Sequence, residues 1–515
     1  MKIVTRLGTI ALMLVVLIPA VASAQAGSIT VVVRDSTGAV LPGVTVEASS
    51  PALIEQTRSV VSDATGQYRI VDLRAGTYTV TFTLTGFSTV KRQGIELTAT
   101  FVATVNADLR VGTVAETITV TGETPIVDVQ SSQTVRTISN EVISGIPSSR
   151  LYSNVTVLMP GVNVQGADVG GITGSLFSVF QAHGGRRDEG QVQVNGLSMG
   201  WQGMGVSGYV PEVGAAQEVS FQVTGGLGEA GTGGPQMNLI PREGGNTARG
   251  TFYANWAGEG WQGSNLSAER VAQGLRQSDA LVKLWEVNGQ FGGPIKRDRL
   301  WFFATGRHLG TRNKVAGIFI NKNAGDLTKW TYDPDLTQQA VADNTTKNAS
   351  IRLTSQLSPR NKVQFWWDEQ LTCQRCIGGG VAGASPLTGG ARTVEGDTGN
   401  DNPIRMGQAT WTSPLSTRLL LEAQFGIGPN ALFGGQERPE NNREMIPVVE
   451  AAGLVPGLTY RANSWARNPG SLYTVNGSAS YITGAHRFKA GVRYQRANAS
   501  FVTFYNNHRL QYSFS

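Results

Sequence analysis

Several segments of this chain alternate polar and apolar residues one by one. In Asn348-Ala-Ser-Ile-Arg-Leu-Thr-Ser-Gln-Leu357 the polar set is Asn348, Ser350, Arg352, Thr354 and Gln356. The facing set has Ala349, Ile351, Leu353 and Leu357. Val363, Phe365 and Trp367 oppose Lys362, Gln364 and Asp368, and Leu419, Leu421, Ala423 and Phe425 oppose Arg418, Glu422 and Gln424. Tyr473, Val475, Ala479 and Tyr481 oppose Thr474, Asn476, Ser478 and Ser480. In 486–495, Phe488, Ala490, Val492 and Tyr494 oppose Arg487, Lys489, Arg493 and Gln495. Side chains of a strand point alternately to opposite faces, so each segment is predicted as a ribbon with one polar and one oily side. Stretches near 249–256, 285–291, 300–306, 406–411 and 510–514 fit less cleanly, which brings the expected total to roughly ten strands.

Alternation alone does not say which solvent the oily side meets, so the connections decide. Those at 292–298, 358–360, 413–416 and 483–485 are tight, and between them lie polar Gly/Asn-rich loops of roughly 25 to 45 residues. A compact soluble sandwich rarely carries structureless loops of that length. Outer-membrane barrels do, with short periplasmic turns on one side and long extracellular loops on the other. Charged residues on the polar parity suit a wet lumen better than a dry core. Residues 247–515 are therefore expected to form the first part of a transmembrane antiparallel β-barrel whose oily side meets outer-membrane lipid.

Ahead of these strands, residues 28–110 read as shorter strands divided by turn residues. Ile29-Thr-Val-Val-Val33, Val44-Thr-Val-Glu-Ala48, Gln67-Tyr-Arg-Ile70 and Thr77-Tyr-Thr-Val-Thr-Phe82 are punctuated by Gly and Pro, as in a β-sandwich. The phrases Asp63-Ala-Thr-Gly-Gln-Tyr68, Leu73-Arg-Ala-Gly-Thr-Tyr-Thr-Val80 and Gly86-Phe87 closely resemble the carboxypeptidase-regulatory-like domain, a transthyretin-like or starch-binding-like sandwich. The resemblance implies a noncatalytic accessory module, and carbohydrate binding follows only from analogy of fold. A secreted peptidase, the rival it raises, lacks the His-x-x-Glu arrangement and the histidine cluster that zinc needs.

Residues 116–121, Glu116-Thr-Ile-Thr-Val-Thr121, form a short β-prone stretch stopped by Gly122 and Pro125. Two readings stay open: the last strand of the sandwich or a linker, or an exposed strand awaiting a partner's sheet edge. In the second reading Glu116, Thr117, Ile118, Thr119, Val120 and Thr121 resemble the TonB box of outer-membrane receptors, which sits just ahead of the plug.

Residues 124–246 have mixed α+β character. A short helix is predicted over 138–147 with Ser139 or Asn140 as its cap, and another over 151–158. Asn195-Gly196 between short apolar runs is a strong hairpin signal. The glycine-dense run 225–235 lacks the following helix that a phosphate cradle needs, so its glycines are expected to let backbones bend or approach closely. The ordered series Ile146-Pro147, Leu158-Met-Pro-Gly161, Gly184-Gly-Arg-Arg187, Gln193-Val-Asn-Gly196, Ala216-Gln-Glu-Val219, the glycine run with Pro235, and Asn238-Leu-Ile240 resembles the plug domain of TonB-dependent receptors, in particular the Oar-like branch. The resemblance implies that Gly184, Arg186, Arg187, Asn195, Gly196, Gly233, Gly234 and Asn238 are plug-motif residues. It also implies an energy-transducing TonB-type complex as partner.

Composition adds limits. Residues 1–24 have the charged start, apolar run and small-residue end of a secretory signal peptide, so the chain is expected to be exported. The 515 residues carry a net charge of +6, with 16% charged residues, 64 glycines and four histidines. No Lys/Arg block is interleaved with aromatics, so no nucleic-acid partner is expected, and nothing calls for a cofactor or a metal. Cys373 and Cys376 read most simply as a disulfide at a loop tip, because two further ligands for zinc and a thioredoxin-like helix start are both missing nearby.

The expected architecture is thus mainly β: an N-terminal sandwich, an α+β plug and a partial barrel. Roughly ten strands are too few to enclose a plug, which leaves a fragment of a longer chain, a barrel completed by other chains, or no plug after all; the fragment is the expectation, because Ser515 falls within a strand pattern. The expected function is uptake of an extracellular substrate through a plugged outer-membrane barrel, with the sandwich in the periplasm and no enzymatic activity. Siderophore, vitamin, peptide and glycan all stay open as substrate. Loop aromatics such as Trp256, Trp261 and Trp330 read as packing or interface anchors first and as sugar-stacking groups second. The alternative function is a surface-binding protein or adhesin without transport.

Overall fold

The computed structural model describes residues 27–514 except 54–55, 98–101, 113–116, 122–133, 147–148, 165–178, 187–188, 201–204, 206–207, 225–232, 265, 274–277, 376–392, 394–399, 417, 430, 435–436, 438, 440, 453–456, 463 and 484–485. The signal segment, Glu116, Arg187 and Cys376 lie outside the described residues.

The sandwich forms as its alternation requires. One sheet orders Gln67–Leu73, Gly27–Asp35 and Val102–Thr104, with Ala107–Leu109 also paired to Gly27–Asp35. The other runs Thr57–Val61, Thr45–Ser49, Gly76–Thr83, Thr89–Leu97 and Thr117–Thr121. Between them lie Ile29, Val46, Tyr68, Ile70, Tyr78, Val80 and Phe82, with the Tyr68 hydroxyl donating to Val105 O at 2.8 Å. The Asp63-Ala-Thr-Gly66 phrase is a tight turn in which Asp63 Oδ1 accepts from the Thr65 and Gln67 amides at 2.8 and 3.1 Å. Gly66 has φ +69° there, and a Cβ on it would meet Val33 O at 2.8 Å. Only glycine fits both demands.

In the plug, Ser139 caps the helix Asn140–Gly145 by accepting from Val142 N, while Ile138 lies in the strand Thr134–Ser139 instead of opening the helix. A second helix covers Tyr152–Thr156. The five-stranded plug sheet orders Thr134–Ser139, Ala216–Thr224, Gln236–Pro241, Gln191–Val194 and Leu197–Ser198.

The third body is an eleven-stranded antiparallel sheet. Two of its strands, Ala431–Gly434 and Val502–Tyr505, are four-residue ribbons on Ser464–Thr483. The others form a meander in chain order: Arg249–Gly258, Ala280–Lys296, Leu300–Asn321, Pro334–Ser358, Asn361–Arg375, Asn400–Pro414, Leu419–Ile427, Ser464–Thr483 and His486–Ala499. Every tight connection falls at one end.

This sheet is inverted relative to a soluble protein. Thr474, Asn476, Ser478 and Ser480 are at most 6% exposed, whereas Tyr473, Val475 and Tyr481 are 40–43% exposed. Arg352, Thr354, Glu422 and Gln424 are buried, while Ile351, Leu357, Phe365 and Phe425 are exposed. On the outward parity the apolar run extends from Trp285 to Ile295 in one strand and, with Ser355 as its one polar member, from Ala349 to Leu357 in another. That is the roughly 9–11 residues with which a tilted strand crosses hydrocarbon. Outward charge returns beyond it at Lys283, Lys347, Glu369, Arg405 and Arg496. No helix among the described residues is long and apolar enough to cross a membrane.

Three expectations change. Much of the polar stretch between 306 and 348 is not loop: strands of 22 and 25 residues pair from Leu300↔Ser355 up to Asn321↔Pro334. Its Thr and Asn residues satisfy a ladder above the apolar band, where polarity on both faces is tolerated. Tyr512–Phe514 is not a wall strand; it pairs in parallel with Val448–Glu450 in a small three-stranded sheet, and Tyr512 meets Trp330 edge-on. Cys373 is not at a loop tip but within Asn361–Arg375, opposite Thr345 and Asp401, and its bond to Cys376 falls outside the described residues.

Candidate functional site

The polar side of the meander receives the plug, and the candidate site is built where the two meet. Apolar packing comes first. Trp366, Ile404 and Met406 sit on the lumen parity of two neighbouring strands and join the plug core with Tyr152, Phe180, Met199, Val219 and Phe221. This explains why 406–411 alternates poorly: part of its polar parity is a docking surface.

The Asn195-Gly196 turn meets the wall directly. Asn195 has φ +49° and Gly196 φ +77°, the left-handed pair of a tight hairpin. The Asn195 side-chain amide donates to Gln408 Oε1 at 2.8 Å, and Gln408 and Gln424 each donate to Asn195 O at 2.9 Å. Asn238 closes the arrangement by accepting from Gly196 N at 2.9 Å. Three of the plug-motif residues, Asn195, Gly196 and Asn238, thus come together. Gly234 lies so close to the Glu189 backbone that no Cβ fits. Gly184, in a turn at φ +74°, Arg186 and Gly233 are exposed and belong to no shared cluster.

Glu243 sits where the plug chain leaves its last strand. Its carboxylate accepts from Arg352 at 2.8 Å and from Gln364 at 2.6 Å, with Lys362 Nζ at 3.6 Å, all from the wall. Arg74 of the sandwich reaches Oε2, the oxygen that also faces Lys362, at 2.5 Å. Arg352 also donates to Pro241 O at 2.8 Å. Burial pushes Glu243 up, but Lys362, Arg74 and Arg352 outweigh it and hold the carboxyl well below the usual range. Just beyond, Asn246 is tied to the first tight turn by bonds to Asp298 and to the Trp301 indole at 2.8 Å.

Glu212 is held differently. Among the described residues its donors are uncharged: Asn288, Gln290 at 3.4 Å, Thr305 at 2.7 Å and Asn348 at 3.2 Å. The same Asn348 nitrogen is 3.4 Å from buried Asp368. Beside them Arg307 pairs with Glu286 at 2.8 Å and donates to Arg150 O at 3.1 Å.

Thr117–Thr121 is a strand, paired in parallel with the sandwich from Thr89↔Thr117 to Gln93↔Thr121. It is the end strand of that sheet, and no described strand pairs its outer edge. Trp256 and Trp261 are exposed and stack edge-on at 4.9 Å. Trp330 is packed under Arg461 and against Tyr512.

Sequence reading missed Glu243, Glu212 and Arg74. Arg352 and Lys362 were legible as lumen-facing, but what they face was not, because the partners lie about a hundred residues away.

An antiparallel meander with an oily outside and a polar inside, holding a mixed plug, defines a plugged β-barrel receptor fold. The crystal structure of the outer membrane transporter YddB from Escherichia coli shares it, with a TM-score of 0.50 at 12% identity over 71% of this chain and 48% of that one. Residues 28–110 match the carboxypeptidase regulatory-like domain. The TonB-dependent transporter Oar of Myxococcus xanthus is 26% identical over 343 residues, 62% of this chain and 31% of that protein. The chain is a homologue of that TonB-dependent transporter, and it spans about a third of the length of this curated relative.

Proposed function

We propose that this chain is the sandwich, plug and wall portion of a TonB-dependent outer-membrane transporter that imports a substrate through its plugged barrel without enzymatic chemistry. The reading is carried by one observation: side chains of the oily parity are exposed while most of the polar parity is buried, part of it in contact with the plug. Homology to a TonB-dependent transporter supports it. In this reading the oily parity meets outer-membrane lipid, the sandwich sits in the periplasm, and substrate arrives from the side opposite the tight turns. An inner-membrane TonB-type complex pulls on Thr117–Thr121 by adding a strand to its outer edge, which no described strand pairs. The anchors at Asn195 and Glu243 are what such a pull must break.

The test is capture of a TonB C-terminal domain by full-length protein in detergent. Ile118→Pro removes one amide donor from the strand and should abolish capture while barrel assembly, read by heat-modifiable gel mobility, is unchanged. Equal capture by the variant would reject the assignment of this strand.

A surface-binding protein or adhesin without transport is the second reading, favoured by the exposed Trp256–Trp261 pair. Polysaccharide binding lost on Trp261→Ala, with no TonB capture by the unaltered protein, would replace the first reading with this one.

A further inference from the structure

The sandwich is more than a tethered accessory. Two turns of it, around 63–66 and 74–76 at the two ends of the strand Gln67–Leu73, touch the wall and the plug respectively. Arg418, in the tight turn before Leu419–Ile427, donates to Asp63 Oδ2 and Thr65 Oγ1 at 2.8 Å each. Gln217, on the plug strand Ala216–Thr224, donates to Ala75 O at 3.3 Å. Arg74 pairs with Glu243 and donates to Gly244 O at 3.2 Å.

We propose that the sandwich is a seated cap on the tight-turn mouth, and that the Arg74–Glu243 pair makes retention of the plug depend on that cap. The contacts differ in weight. The Arg418–Asp63 pair is about a third to a fifth exposed on its two sides and contributes little. Glu243 has a side chain only 10% exposed and takes one cation from the sandwich and two from the wall. Taking Arg74 away opens that buried carboxylate to water and frees the exit of the strand Gln236–Pro241, which lies in the middle of the plug sheet.

The proposal also orders the steps of opening. Thr117–Thr121 is hydrogen-bonded into the sandwich sheet, so force applied there loads the sandwich before the plug. The cap leaves first, Arg74 comes off Glu243, and the plug is then held by the wall alone. This rests on the plugged-transporter reading for its consequence, so the experiment reads protection instead of uptake and the two can fail separately.

The test is amide hydrogen exchange on full-length protein in detergent, comparing Arg74→Ala, Arg74→Lys, Glu243→Gln and Arg418→Ala with the unaltered chain. Arg74→Ala should spare the sandwich, because what Tyr78 bonds there is the Arg74 backbone carbonyl, at 2.7 Å. Expected is exchange faster by about tenfold or more across 236–244 for Arg74→Ala and Glu243→Gln. Arg74→Lys should fall between these and the unaltered chain, with wall strands and sandwich core unchanged, and Arg418→Ala should change little. Unchanged exchange at 236–244 in Arg74→Ala would overturn the proposal. So would a rise in that variant spread equally through the sandwich, which would make Arg74 a local folding residue.

Discussion

Val492→Arg asks directly what wets the oily parity. Val492 is 42% exposed in the strand His486–Ala499, between exposed Phe488 and Tyr494 and opposite Gly477. Six residues from His486 at about 3.3 Å each is roughly 20 Å along the strand, or about 15 Å of height at a tilt near 40°. That is near the middle of an apolar band about 25 Å tall, and outward charge returns only at Arg496. A half-exposed valine facing water tolerates arginine within about 0.5 kcal/mol. At the bilayer midplane the same change costs about 2–4 kcal/mol, a shift of about thirtyfold to several-hundredfold in the folding equilibrium. Arg493→Ala, on the opposite parity, should cost under about 1 kcal/mol. The assay is reversible denaturant titration of folding into lipid vesicles. A Val492→Arg change below about 0.5 kcal/mol, or a larger effect from Arg493→Ala, would refute the lipid-facing assignment and the strand register with it.

Glu243→Gln leaves Arg74, Arg352 and Lys362 crowded with no carboxylate, so plug seating should weaken by about 3–5 kcal/mol, read from thermal unfolding. The sign of the pH dependence follows from a depressed carboxyl. Its contribution is complete above the ordinary value of 4.5 and is lost as pH falls toward the lower folded value. The gap between unaltered protein and Glu243→Gln should therefore hold from pH 7 to 5 and narrow in more acid solution; a gap that widens there refutes the charge assignment. Burial pushes Asp63 up, but Thr65, Gln67 and Arg418 outweigh it and hold it at about 2. The turn should then stay intact at pH 4 and loosen below it, seen as faster exchange of the Thr65 and Gln67 amides. Gly196→Ala meets open space but sits at φ +77°, so it should cost about 1–2 kcal/mol from backbone strain alone. Asn195→Ala loses the bond to Gln408, and limited proteolysis should cut the 191–199 hairpin faster in both variants.

Much of the architecture was legible because it is local. Alternation is a property of neighbours, so Thr474 to Ser480 and Val363 to Trp367 announced their faces without reference to any other strand. The Asp63–Gly66 and Asn195-Gly196 turns were legible for the same reason, since each needs a backbone conformation that few residues allow. The sequence misled where polarity was uniform: Thr345 and Thr346 look like loop, yet they extend a ladder against Gly310 and Leu309.

By itself the chain of residues determined three bodies, the faces of their strands and the positions of their tight turns, because each is set within a few residues by period and dihedral preference. Only the tertiary structure decided that Trp366, Ile404 and Met406 turn their lumen faces into plug core, and that Arg74, Glu243, Arg352 and Lys362 converge on one carboxylate. Such meetings join residues far apart in the chain, and a buried charge is held by whichever cations the fold delivers to it. No local pattern encodes that delivery.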